Sequence, residues 1–170
     1  IYSTPGHKKY YVVSDVLENF VSKAGQHIEI LKLEEFGPAL FIDSELQVAE
    51  KDEKKYSGQF VGSALNLSKN SSSAAIIGGG DGGVARELSS KGFDLIDWYE
   101  LDPEVVKVCQ KHLLKVCGDI KANNKVKTYW GDAFESIKKV KNSKYDKIFV
   151  DLNDDQFCID LAAKNMKGLK

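Results

Sequence analysis

From residue 10 to about residue 50 the chain sets short β-prone runs between polar ones. Residues 10–13, 28–33 and 39–42 favour strands, and Gly37-Pro38 between the last two reads as a turn. This pattern predicts a small antiparallel β module over residues 1–50. Asp52 can then cap a helix in which Tyr56, Phe60, Ala64 and Leu67 recur at three- and four-residue spacing. That line of side chains is expected to face a core. Residues 66–73 read as a polar linker.

After the linker the periodicity changes. Residues 74–77 form an apolar run that ends in glycines, and 83–90 read as a helix. Residues 95–99 form a strand that ends at Glu100, and Asp102-Pro103 is a strong helix start, an N-cap carboxylate followed by proline in the first turn. Residues 126–130 are a third strand, 132–140 a helix, and 147–150 a fourth strand ending at Asp151. Strands that alternate with helices imply right-handed βαβ units and a mostly parallel sheet. The expected fold is α/β and Rossmann-like over residues 51–170, with ligands bound beyond the carboxyl ends of the strands.

Composition narrows the function. The 170 residues are 42% apolar and 29% charged, with a net charge of −1, so the basic footprint of a nucleic-acid binder is missing. Cys109, Cys117 and Cys158 are odd in number and lack the spacing of a metal knuckle or redox pair, which points to reduced thiols. His7, His27 and His112 have no second ligand at metal spacing, so no metal is expected. No apolar run reaches the length of a membrane span, and no signal-peptide layout opens the chain. A cytoplasmic protein without membrane or nucleic-acid partners is the expectation.

Gly78, Gly80 and Gly83 carry the spacing of a nucleotide-binding glycine loop between a strand and a helix. Glu100 lies at the end of the next strand, where a carboxylate can accept hydrogen bonds from ribose hydroxyls. The unusual residue is Asp81, inside the loop. Like charges about 4 Å apart repel by roughly 4 kcal/mol at an effective dielectric near 20, so a pyrophosphate is disfavoured there. The carboxylate of S-adenosylmethionine is disfavoured for the same reason. The decarboxylated form of that molecule ends in a lone ammonium, for which Asp81 is a fitting partner.

Asp132 and Asp151 also fall at or just past predicted strand ends, so with Asp81 and Glu100 they should converge on one edge of the sheet. Each alone could be a helix cap. Together they suit a polycation.

The run Ile76-Ile77-Gly78-Gly79-Gly80-Asp81-Gly82-Gly83-Val84-Ala85-Arg86-Glu87, followed by Tyr99-Glu100-Leu101-Asp102, resembles the nucleotide loop and second-strand acid motif of spermidine and spermine synthases. Upstream, Gln26, residues 28–33, Phe36-Gly37, and Gln47 through Glu50-Lys51-Asp52-Glu53 to Tyr56 are similar to that family's entry strands and acid-rich segment. The resemblance spans residues 26–151. It implies a methyltransferase-like fold and aminopropyl transfer from decarboxylated S-adenosylmethionine, a co-substrate, with no tightly bound cofactor. By the same resemblance Gln26, Glu100 and Asp132 would hold the donor, Glu100 at the ribose and Asp132 near the adenine amine. Asp81 would bind the aminopropyl ammonium, Tyr56 and Asp151 would flank the attacking amine, and Gln47 would lie beside the channel. The chemistry fits: a primary amine is protonated near neutral pH and must lose a proton before in-line attack, for which Asp151 with Tyr56 is the expected base.

The acceptor is less decided. Lys115-Val116-Cys117-Gly118-Asp119 and Ser57 resemble the animal spermine synthase branch, whereas Gln47 and Asp52-Glu53 look like the spermidine branch. In Asp151-Leu152-Asn153-Asp154 the first pair resembles the spermine enzyme, and Asp154 the second aspartate of the spermidine enzyme. The reading favours spermidine as acceptor, giving spermine, with putrescine as the alternative. A methyltransferase or an inactive nucleoside-binding homologue remain the rival readings. A homodimer is expected. Family members carry an active-site loop, a helix and further strands after the fourth-strand acid; here residues 154–157 lead almost at once into a helix-like run. The Rossmann-like domain therefore reads as incomplete at its C-terminal end.

Overall fold

The computed structural model describes residues 2–4, 7–66, 71–137, 139 and 144–152. Strands β1 (Tyr2–Thr4) and β2 (His7–Lys9) pair as an antiparallel ribbon that the sequence pattern does not announce. Next, β3 (Val13–Val21), β4 (His27–Leu33), β5 (Gly37–Ile42) and β6 (Glu45–Ala49) form a four-stranded antiparallel sheet in chain order. After α1 (Glu53–Asn66) come β7 (Ser73–Gly78), α2 (Gly83–Ser90), β8 (Leu95–Glu100), α3 (Pro103–His112), α4 (Leu114–Cys117), a 3-10 turn at Ile120–Ala122, β9 (Val126–Trp130), α5 (Ala133–Ile137) and β10 (Lys147–Asp151). The last four strands make a parallel sheet in the order β10-β7-β8-β9. This is the expected α/β architecture, with an antiparallel sheet ahead of it.

Strand β7 is central and buried on both faces, as parallel strands are. Ala74 and Ile76 meet Val84, Leu88, Ile96 and Trp98 on one side, while Ala75 and Ile77 meet Tyr99 and Phe134 on the other. Helix α3 starts as anticipated: Asp102 Oδ1 accepts the Glu104 amide at 2.9 Å, and Pro103 occupies the first turn. The antiparallel sheet is not a loose appendage. Ile28, Ile30, Leu40 and Val48 share a core with Val105, Val108 and Leu113 of the α3 region.

Three details depart from the sequence pattern. Residues 10–12 are not strand; Tyr11 instead packs edge-on against Phe36 and Phe41, at ring separations of 6.2 and 5.8 Å, and closes the end of the antiparallel sheet. The strand begins at Val13, where pairing with β4 becomes available. Gly37-Pro38 does not form the turn: residues 34–36 do, and Gly37 already pairs with Leu33. On α1 the fully buried line is Glu53, Ser57 and Val61, one position along from the expected face, and Tyr56 is 55% exposed. Phe60 and Ala64 of the expected face do pack against the core that holds Val61, while Glu53 and Ser57 lie against the glycine loop at Gly83, which accepts small and hydrogen-bonding side chains. The helix expected over 132–140 is described as α5 only to Ile137; Leu67 and Val140 lie outside the described residues. Among the described residues no helix is long and apolar enough to cross a membrane.

Candidate active site

The loop after β7 is shaped by what it touches. Gly78 has φ +79°, and a Cβ there would lie 2.2 Å from the Asp151 carbonyl oxygen, so no larger residue fits. Gly79 N donates to that same carbonyl at 2.9 Å, which ties the loop to the end of β10. From β8, Trp98 Nε1 donates to the Gly78 carbonyl at 2.7 Å. A Cβ on Gly80 would come within 3.2 Å of Glu100 Oε2, so the loop backbone and the Glu100 carboxylate are immediate neighbours.

Beyond these strand ends lies a cleft of about 580 Å³, in the range of small-molecule sites. Gly78, Gly80, Asp81, Glu100, Asp132 and Asp151 line it from the parallel sheet. Tyr56 reaches in from α1. The antiparallel sheet closes the opposite wall with Gln26, from the turn before β4, and with Gln47 on β6. The structure therefore brings these sequence-selected residues to one cavity; Asp154 and Cys158 lie outside the described residues.

Each acid has a distinct setting. Asp81 is half-buried, faces the cleft, and accepts the Gly83 amide on Oδ1 at 2.6 Å. Burial, reinforced by Asp151 nearby, pushes its carboxyl up to about 7 against the pull of that amide. Glu100 is buried, with Oε1 accepting the Asp102 amide at 2.8 Å, and burial likewise pushes it to about 7. Asp132 Oδ1 accepts the Phe134 and Glu135 amides at 2.8 and 3.3 Å, so it caps the start of α5 while lining the cleft. Cap and site are not alternatives here. Asp151 Oδ1 accepts the Tyr56 hydroxyl at 3.1 Å.

Other cleft residues carry no motif and were missed. Leu40, Ile42 and Leu46 form an apolar wall from the antiparallel sheet, with Ile77, Tyr99 and Val105 opposite, suited to a flat heterocycle and a methylene chain. Their hydrophobicity reads as core in the sequence. Glu45 also lines the cleft, one hairpin turn from Ile42. Three ties hold that wall in place: Lys23 N donates to Glu104 Oε2 at 2.7 Å, Lys115 pairs with Glu50 at 2.6 Å, and Glu18 accepts from Lys111 and His112 at 2.6 and 2.9 Å.

A parallel sheet with a glycine loop, and carboxylates gathered at its strand ends, define a Rossmann-like protein of the methyltransferase type. Residues 53–163 match the family model described as the spermine/spermidine synthase domain, and the chain belongs to that family. A polyamine aminopropyltransferase of Prochlorococcus marinus (strain MIT 9312) is 36% identical over 130 residues, covering 76% of this chain and 46% of the relative. One from Methanocaldococcus jannaschii is 35% identical over 144 residues, covering 84% and 48%. Among solved structures, a spermidine synthase in complex with the transition state analogue AdoDATO superposes with a TM-score of 0.78 at 27% identity, covering 85% of this chain and 48% of that one. The spermidine synthase of Thermotoga maritima gives 0.76 at 26% identity, covering 83% and 49%. The chain spans about half the length of the curated relatives it matches.

Proposed function

We propose that this chain transfers an aminopropyl group from decarboxylated S-adenosylmethionine to a polyamine amine, releasing methylthioadenosine. The observation that carries the reading is the placement of the Tyr56–Asp151 pair and Asp81 in one cleft with Glu100. In this reading Glu100 takes the ribose, Asp132 the adenine amine, and Gln26 the donor's body. Asp81 holds the aminopropyl ammonium. The unprotonated acceptor nitrogen attacks the carbon bonded to sulfonium; the N–C bond forms, the C–S bond breaks, and its electron pair goes to sulfur, leaving a neutral thioether. Asp151, hydrogen-bonded to Tyr56, takes the proton that the amine sheds. Fixing both amines lets orientation supply much of the rate.

The printed names of the relatives and neighbours, and the AdoDATO complex of one, support this donor class. For the acceptor we propose spermidine, supported by the 115–119 segment and by Asp151-Leu152, with putrescine as the competing acceptor. The proposed division places the antiparallel module at residues 1–50 and the catalytic unit from residue 51. The test is incubation with decarboxylated S-adenosylmethionine and either amine, following methylthioadenosine. Release with spermidine, and little with putrescine, is expected. Calorimetric binding without turnover would mark an inert binder, and tighter binding of S-adenosylmethionine than of its decarboxylated form would mark a methyltransferase.

A further inference from the structure

Behind the loop, away from the cleft, sits an ion pair that the proposed chemistry does not use. Glu53, 1% exposed, receives Arg86 through both oxygens: Nη1 to Oε2 at 2.6 Å and Nη2 to Oε1 at 2.9 Å. Arg86 also donates to the Lys115 and Val116 carbonyls and to Glu87. One guanidinium therefore clamps the first turn of α1, the first turn of α2 and the end of α4. Glu53 lies three residues before Tyr56, within one helical turn of it. The other partner, Arg86, lies three residues after Gly83, where the loop enters α2. A Cβ at Gly83 would lie 2.7 Å from Glu53 Oε1, 2.6 Å from Ser57 Oγ and 3.0 Å from Asp81 Oδ1, so the Glu53 and Asp81 carboxylates crowd the same glycine.

We propose that the Glu53–Arg86 pair is a positioning device for the transfer, seating Tyr56 and the Asp81 loop together and setting the charge that Asp81 presents to its ligand. A bidentate fork fixes both distance and angle, which a point charge does not. The charges act on Asp81 in opposite senses: Glu53 disfavours its ionised form and Arg86 favours it. Other titratable groups near Asp81 are Asp151 from β10, Glu100 from β8 across the same cleft, and the buried thiols of Cys109 on α3 and Cys117 on α4. Neither thiol is ionised near neutral pH, because burial pushes both up, Cys117 to about 11. The variable charges around Asp81 are thus the ion pair, Asp151, and Glu100, which lines the same cleft from β8 and is itself pushed to about 7.

The inference rests on the aminopropyl-transfer reading for its kinetic arm only. Glu53→Gln, Arg86→Gln and Arg86→Lys separate charge from geometry. Carboxyl-carbon NMR titration of the ligand-free protein should place the Asp81 midpoint lower in Glu53→Gln and higher in Arg86→Gln, each by about half a pH unit or more. Arg86→Lys should leave the midpoint in place yet lower kcat roughly tenfold with the donor dissociation constant unchanged, since the fork is lost and the charge kept. A purely structural role would move neither midpoint. Midpoints that stay put or move together, or wild-type kcat in Arg86→Lys, overturn the proposal. If Arg86→Gln does not fold, the isosteric Glu53→Gln decides. If the wild-type protein turns over no polyamine, the functional reading falls, and the NMR titration decides this one alone.

Discussion

Tyr56 donates its hydroxyl to Asp151 Oδ1 at 3.1 Å, across a sequence separation of 95 residues. The bond joins α1 to the end of β10, and aromatic packing supports it: Tyr56 stacks on Phe60 at 6.0 Å, and Phe60 meets Phe149 of β10 edge-on at 5.8 Å. Tyr56→Phe keeps the stack and removes only the hydroxyl. It should lower kcat roughly tenfold and leave donor binding alone, whereas Asp151→Asn should cost about a hundred- to ten-thousandfold as the proton acceptor disappears. Steady-state kinetics on both variants check this; equal, small losses would remove Asp151 from the role of base.

Asp81 and Glu100 make a pH prediction whose sign follows from burial. Each carboxyl sits near 7 in the folded protein, above its ordinary value near 4. Between those values the folded state holds protons that the unfolded chain has released. Their contribution to stability is therefore present below about pH 4 and is lost as pH climbs through about 7. Asp81→Asn retains the acceptor for the Gly83 amide and removes the charge. The ligand-free variant should be more stable than wild type at pH 8 by roughly 1–3 kcal/mol, discounted for partial exposure, and nearly equal to it at pH 4. Urea unfolding at both pH values measures it, and an acidic gain larger than the alkaline one would reverse the argument.

The two acids should separate by ligand. If Glu100 holds the ribose, Glu100→Gln weakens decarboxylated S-adenosylmethionine and methylthioadenosine alike, by about tenfold or more. If Asp81 holds the ammonium, Asp81→Asn weakens the first and spares the second, which has no ammonium. Calorimetry with both ligands on both variants reads the pattern directly. Equal losses for Asp81→Asn would place that side chain off the cationic tail.

Much of this site is legible in the sequence because local signals coincide with it. The glycine run, the strand-end acids and Asp102-Pro103 each announce a turn or a cap that needs no distant partner, and β7, α2, β8 and the start of α3 fall where those signals put them. What stays hidden is set by tertiary pairing. Strand β3 reads VSDVLENFV, with charges and an asparagine, and is a strand because β4 supplies its hydrogen bonds at the end of the sheet order. Strand β6 follows a two-residue turn, Asp43-Ser44, with φ of 49° and 68° at residues that lack the usual glycine. The polar buried face of α1 is intelligible only once Glu53 meets Arg86, 33 residues later.

The close approach at Gly78 can be separated from simple backbone strain. Gly78 and Gly25 share a positive φ, +79° and +88°, but a Cβ on Gly25 meets nothing within 4 Å, while on Gly78 it strikes the Asp151 carbonyl at 2.2 Å and Leu152 Cδ2 at 2.8 Å. Gly25→Ala should cost about 1–2 kcal/mol, the penalty of a left-handed L-residue. Gly78→Ala adds a clash between two backbones that neither can relieve by a rotamer change, and it must break the Gly79 N to Asp151 O bond. It should destabilise by about 3 kcal/mol or more and displace Asp151 from Tyr56, so that whatever folds has lost turnover. Melting curves and methylthioadenosine release on the two variants give the comparison; similar melting temperatures would mean that the loop and β10 are not held as tightly as the 2.9 Å bond implies.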